Sequence, residues 1–277
     1  MWQYFSYIAF TSIALWAVSA ILIYARKKGS LNTIAILMHA LATLIIGAFI
    51  TALWISLERP PLRTLAETRI WYTFFMGAIG LVVYRMYRQK WMLNYAALMA
   101  TVFLLVTYFK PDTMNKTLMP ALQSVWFIPH VIVYIFAYAM LGMATVVALY
   151  GLYQHKRPNR SAIAGIKYKP YTPEETVLIV DRLVNVGYAF LTFGLLFGAL
   201  WAKEAWGHYW TWDPKETWAF ISWLGYLVYI HYRYKYKDKE ATTNFSIIII
   251  AFILLMVCWF GVNYLPTASM SVHTYSG

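Results

Sequence analysis

FSIIIIAFILLMVCWFGVN, residues 245–263, runs nineteen positions without one charged side chain. At a rise of about 1.5 Å per residue it crosses the roughly 30 Å hydrocarbon core of a bilayer. A helix is the form a lone segment can take there, because it satisfies its own backbone hydrogen bonds. Seven further apolar stretches repeat the pattern, at about 5–25, 33–55, 71–88, 91–109, 128–152, 183–202 and 217–232. The last of these is the shortest and needs the interfacial residues before it to complete a crossing. The expected fold is all-α: a polytopic membrane protein of about eight transmembrane helices.

Composition agrees. The 277 residues are 61% hydrophobic and 12% charged, with a mean hydropathy of +0.54. A soluble domain of this size needs more charge than that to cover its surface. A net charge of +12 would suggest nucleic acid in a soluble protein, but its distribution says otherwise. The connections at 26–30, 85–90, 154–182 and 233–240 carry sixteen of the 23 Lys and Arg. The opposite side carries Arg59, Arg63, Arg69, Lys110, Lys116, Lys203 and Lys215. The bias repeats at every inward connection, so both termini are expected on the outer (periplasmic) side. Blocks such as Arg233 to Lys237 then orient the chain and meet anionic lipid, with no nucleic-acid partner expected.

Cys258 is the one cysteine and lies inside an apolar run, which rules out a disulfide framework, a C-x-x-C pair and a thiolate metal site. Met1 to Phe10 lacks a basic n-region and a small-residue cleavage site, so it reads as the lead-in to the first span. There is no internal repeat. The longest outward connection, about 110–127, is too short to fold alone, and residues 1–277 are expected to form a single integral-membrane domain.

Two helix starts are legible. Thr172-Pro-Glu-Glu175 supplies a cap, proline at the first helical position and glutamate at the third; Asp213-Pro-Lys-Glu216 has the same grammar. The first predicts a helix from about 173 that continues into the sixth span, and the second opens the seventh. Asp213 and Glu216 also read as a carboxylate pair for acid–base work, although capping accounts for both.

Six of the thirteen tryptophans fall between 201 and 223, and they punctuate an outward loop over about 203–217. One reading is the ordinary aromatic belt at the headgroup level. A belt, however, spreads its aromatics over many helix ends. The concentration at one connection favours a flat, rigid surface that stacks on a planar apolar ligand, with a cation to meet a charged edge.

The run Trp206-Gly-His-Tyr-Trp-Thr-Trp-Asp-Pro-Lys-Glu-Thr-Trp218 resembles the WWD signature of haem-handling membrane proteins, and specifically of the CcsA (ResC) cytochrome c assembly family. Supporting matches are Leu122 to Trp126 ahead of His130, Tyr229-Ile-His-Tyr-Arg233, and Phe260-Gly-Val-Asn263 ahead of His273. The likeness covers residues 120–277 well and the first 110 more weakly; nothing specific transfers to Glu58 to Thr68. It implies haem b as the bound substrate. Trp206, Trp210, Trp212, Asp213, Lys215 and Trp218 belong to the outer surface, with Lys215 and Arg69 as propionate partners.

The histidines divide by depth. His155 reads as solvated, and His208, inside the tryptophan loop, as a residue lining the haem edge. His130, at the mouth of the fifth span, and His273, in the tail, lie on the tryptophan side, as interfacial or capping residues or as ligands. Two neutral imidazoles on opposite faces of a porphyrin make a six-coordinate iron, and the resemblance implies that His130 and His273 are that axial pair. His39 and His231 fall within or near hydrocarbon depth, where an ionisable group is a functional candidate by default. His231 is similar to the family's lower, intramembrane haem ligand, so the metal ligands expected are His130, His273 and His231. His39 is a candidate mate for His231.

The function so implied is cytochrome c biogenesis: haem crosses the membrane and is presented at the outer WWD site for covalent attachment to apocytochrome c. The chain would be a component of a cytochrome c synthase (haem lyase) complex. Its expected partner is a CcsB (ResB)-like membrane protein with a large external domain. The rival readings are a CcmC-like exporter that hands haem to a carrier, and a b-type electron-transfer subunit. The expected location is a bacterial inner membrane or a thylakoid membrane.

Overall fold

The computed structural model describes residues 1–25, 29–114, 124–156, 171–236 and 241–266. Among them the regular structure is helical: α1 (Phe5–Leu22), α2 (Gly29–Leu57), α3 (Leu65–Tyr87), α4 (Lys90–Phe109), α5 (Phe127–Lys156), α6 (Pro173–Trp206), α7 (Pro214–Lys235) and α8 (Ala241–Trp259). Short 3-10 turns occupy Trp2–Tyr4, Pro111–Met114 and Gly261–Tyr264. The polytopic all-α membrane architecture is thus observed. Seven of the helices, α1 to α6 and α8, are long and apolar enough to cross a membrane. α7 has 22 residues, about 33 Å at 1.5 Å per residue, but its Trp, Tyr, His and terminal charges make it the most polar of the eight.

Two compact units divide the chain, at residues 1–139 and 140–277. In the first, α1 packs on α2, α2 on α3, α3 on α4, and α4 back on α1. Lipid tails are as apolar as leucine, so helices in a membrane associate through close packing and hydrogen bonds rather than the hydrophobic effect. The α3–α4 seam follows that rule: Ala96, Ala97 and Ala100 are buried, and a Cβ added at Gly80 would collide with Ala96. Ser19 Oγ donates to the Ala35 carbonyl at 2.7 Å, joining α1 to α2.

α3 starts at Leu65, well ahead of the apolar run expected from 71, and the cause is a capping box. Glu67 N donates to Thr64 Oγ1 at 3.1 Å, and Thr64 N to Glu67 Oε2 at 3.2 Å. The same carboxylate, nearly fully buried, pairs with Arg59 at 2.9 Å and accepts from Arg63 N at 2.6 Å. The T-x-x-E signal was present in the sequence.

In the second unit, α6 packs on α7 and α8, and α7 on α8. α6 starts at Pro173 as its cap grammar requires, with Thr172 and Glu175 bonded reciprocally at 3.2 and 2.8 Å. α8 stops at Trp259, short of the expected 263, and the chain tightens into the 3-10 turn at Gly261–Tyr264. The other helix bounds lie within four residues of those expected from the sequence.

Candidate functional site

The tryptophan loop is built by two helix ends. α6 terminates on Gly207, whose φ of 85° is left-handed and whose N donates to the Lys203 carbonyl at 3.1 Å. A residue with a Cβ is disfavoured there. Lys203 Nζ caps the Gly207 carbonyl at 2.8 Å and lies 5.4 Å from the Tyr209 ring centroid. α7 opens on Asp213, which accepts from Lys215 N at 2.8 Å. Glu216 completes the capping box by accepting from Asp213 N at 3.2 Å. Both carboxylates therefore cap α7.

Glu216 does more than cap. Its Oε2 also accepts from Thr211 N at 2.8 Å and Thr211 Oγ1 at 3.3 Å. Between the two amides it holds lies Trp212, at φ 61°. A non-glycine residue in that region costs about 1–3 kcal/mol, and such strain gathers at functional sites. Thr217 Oγ1 donates to the Trp212 carbonyl at 3.1 Å.

The indoles are not equivalent. Trp212 is 63% exposed, whereas Trp206, Trp210 and Trp218 are half-buried. Trp206 packs against Trp201 at 4.9 Å. Trp210 meets Trp212 edge to face at 5.8 Å. Beneath both sits Phe220, 6.4 Å from Trp210 and 5.9 Å from Trp212. Phe220 stacks on Trp223 at 6.0 Å, Trp223 stacks on Tyr188 of α6 at 5.4 Å, and Trp223 Nε1 donates to Thr192 Oγ1 at 2.9 Å. Lys215 belongs to the first turn of α7, and its carbonyl lies 4.0 Å from Cys258 Sγ. His208 is exposed on the loop.

His231 lies thirteen residues beyond Trp218 on α7, about 20 Å along the axis. Its ring is exposed, in a shallow apolar groove of about 390 Å³ lined also by Leu224, Leu227, Val228, Tyr232 and Lys235. Nδ1 lies 2.9 Å from the Leu227 carbonyl. A carbonyl only accepts, so Nδ1 is the donor; in the neutral ring Nε2 then keeps its lone pair, which is the tautomer of an Nε2 metal ligand. Tyr229 and Arg233, on the other face of α7, are tied to Asp181 of α6: Tyr229 OH at 2.6 Å and Arg233 Nη2 at 2.8 Å. Sequence reasoning missed Asp181, although an acid within an apolar run is itself a signal.

In the first unit, His130 occupies the first turn of α5, with its ring 4.7 Å from Tyr134. Arg69 donates to Thr113 Oγ1 at 3.2 Å. His39 is fully buried: Nε2 lies 3.2 Å from the Gly77 carbonyl and the ring 6.0 Å from Trp16. Its Nε2 therefore carries the proton and is already engaged. His273 lies outside the described residues.

The family model for Cytochrome C assembly protein matches residues 2–269. Among curated relatives, a Cytochrome c biogenesis protein CcsA of Prochlorococcus marinus is 32% identical, over 90% of this chain and 85% of that one. Proteins of the same name from Panax ginseng and Lactuca sativa are 31% and 32% identical, over 86% and 83% of this chain and 84% and 81% of theirs.

Proposed function

The chain belongs to the cytochrome c assembly protein family and serves in cytochrome c maturation, and from that premise we propose that it carries haem across the membrane and presents it for attachment. Haem b is the substrate here rather than a resident cofactor. In this reading both termini and the tryptophan loop face outward, and haem enters from the inner side to meet His231. The groove around that ring is apolar, as a porphyrin requires, and Lys235 at its inward end matches a propionate in charge.

The outer stage uses His130 and His273 as axial ligands and the tryptophan loop as the supporting surface, with Lys215 as a propionate partner. Bis-histidine ligation keeps the iron from other reactions and fixes which porphyrin edge is offered. Attachment is then an addition. Each apocytochrome thiol forms one S–C bond to a vinyl carbon, the thiol proton goes to the neighbouring carbon, and no oxidant is consumed. The chain contributes orientation rather than acid–base chemistry. The partner proposed to hold the apocytochrome is a membrane protein with a large external domain, in a bacterial inner or thylakoid membrane.

One observation carries this reading: the loop spends backbone strain and three hydrogen bonds to keep a large indole, Trp212, 63% exposed. A stacking surface explains that arrangement; a membrane-anchoring indole needs no such fixation. The test is covalent haem attachment to an apocytochrome c in membranes carrying the chain and its partner. His130→Ala, His273→Ala and Trp212→Ala should each lower attachment in normally inserted protein, with imidazole partly restoring the histidine variants. Full attachment in all three would overturn the proposal.

A further inference from the structure

Trp212 is fixed from two directions. From the helix side, a single carboxylate oxygen of Glu216 accepts the amides on either flank of the residue, Thr211 N at 2.8 Å and Asp213 N at 3.2 Å. Backbone N–H groups converging around a left-handed residue form an anion-binding concavity; here the anion is the protein's own. A capping glutamate needs only the second of these bonds. The first is surplus to helix capping, and it spans the strained residue.

From below, the support is aromatic and continuous. Phe220 presents its ring at 76° to Trp210 and 83° to Trp212, so both indoles rest against it edge to face. Its other face lies parallel to Trp223, at 11°. Trp223 is anchored to α6 twice, by the Thr192 hydrogen bond and by the Tyr188 stack. The exposed indole is thereby referred, ring by ring, to the rigid α6–α7 pair rather than to a flexible loop.

We propose that Glu216 and Phe220 are positioning residues for the outer tryptophan surface: they lock the backbone and ring plane of Trp212 before a flat ligand arrives. The inference rests on the haem-presenting reading of this loop. Its physical basis is preorganisation, since ordering a loose indole only on binding would subtract from affinity.

The test uses the full chain in detergent or nanodiscs, with haemin titrated against wild type, Glu216→Ala, Phe220→Leu, Phe220→Tyr and Trp212→Ala. Glu216→Ala and Phe220→Leu should each weaken binding about tenfold, near the upper end expected for one unfixed side chain, while Phe220→Tyr stays within about twofold of wild type because the ring is kept. A second readout needs no haem. With fluorotryptophan labelling, the Trp212 resonance, assigned by its loss in Trp212→Phe, should narrow in Glu216→Ala and Phe220→Leu while the buried Trp16 and Trp201 signals stay unchanged. Should Phe220→Leu fail to insert, Glu216→Ala, which removes the bonds from Thr211 and Asp213 and leaves the ring support in place, decides alone. Native affinity and an unchanged Trp212 line in Glu216→Ala overturn the inference. If Trp212→Ala weakens binding while those two variants do not, positioning is wrong and the stacking surface stands. If Trp212→Ala also binds normally, the surface reading itself falls.

Discussion

His39 and His231 are both imidazoles set in apolar helices, and the two units treat them in opposite ways. In the first unit His39 is enclosed by α1 and α3, with Nε2 held by the Gly77 carbonyl and Trp16 beside the ring. In the second, His231 bonds the carbonyl of its own helix one turn back, and its ring stays open to the groove. Both nitrogens that carry a proton do so because a backbone carbonyl accepts it. The difference lies in what remains. Each ring keeps one unprotonated nitrogen: Nδ1 of His39 is fully buried without a hydrogen-bond partner, whereas Nε2 of His231 belongs to an exposed ring beside an apolar surface. Depth in the membrane makes a histidine a candidate; the space beside its spare nitrogen decides between ligand and core residue.

The sharpest way to break this contrast is to remove each ring. His231→Ala should leave both haem stages empty in purified protein, because this histidine precedes the outer site on the proposed route, whereas His130→Ala should still load the lower site. A His231→Ala protein with full outer haem would take this residue off the route. His39→Ala should leave haem per folded molecule unchanged and lower stability by about 2–3 kcal/mol through the cavity left by the ring. Thermal unfolding in detergent beside the haem spectrum reads both. A loss of haem matching that of His231→Ala would make His39 the second ligand.

A smaller effect should follow from Asp181→Asn, which weakens the ties to Tyr229 and Arg233 that turn His231 toward the groove. A hydrogen bond to a charged partner contributes about 1.5–3 kcal/mol, so haem loading should fall severalfold with the spectrum's shape preserved. Wild-type loading would show that the α6–α7 tie does not serve the histidine. Smallest of all is Asp213→Asn. Asparagine caps about as well as aspartate, within a few tenths of a kcal/mol, and maturation should be nearly unchanged. Lost maturation at normal abundance and haem content would give that carboxylate a chemical role.

What could be read in advance was local. Thr172-Pro173 and Asp213-Pro214 announce their helices because a cap and its glutamate lie within one turn, and the observed boxes match. The Thr64–Glu67 box is legible by the same rule, although the apolar run starts only after it. The clustering of tryptophans was evident, but not their division into one exposed indole and three half-buried ones, nor the rings of Phe220 and Trp223 beneath them.

The sequence by itself determined the solvent this chain lives in, the eight long helices among the described residues, where two of them begin, and the family to which it belongs. These follow from runs of apolar residues, from bonds closed within four residues and from a rare motif. Only the tertiary structure decided which histidine nitrogen is spare, that Glu216 reaches past its cap to Thr211, and that Asp181 meets Arg233 fifty-two residues away. Each depends on how neighbouring helices and the loop between them are seated, and in a membrane that seating is set by close packing of small residues and by interhelical hydrogen bonds. No window along the chain contains both sides of such a contact.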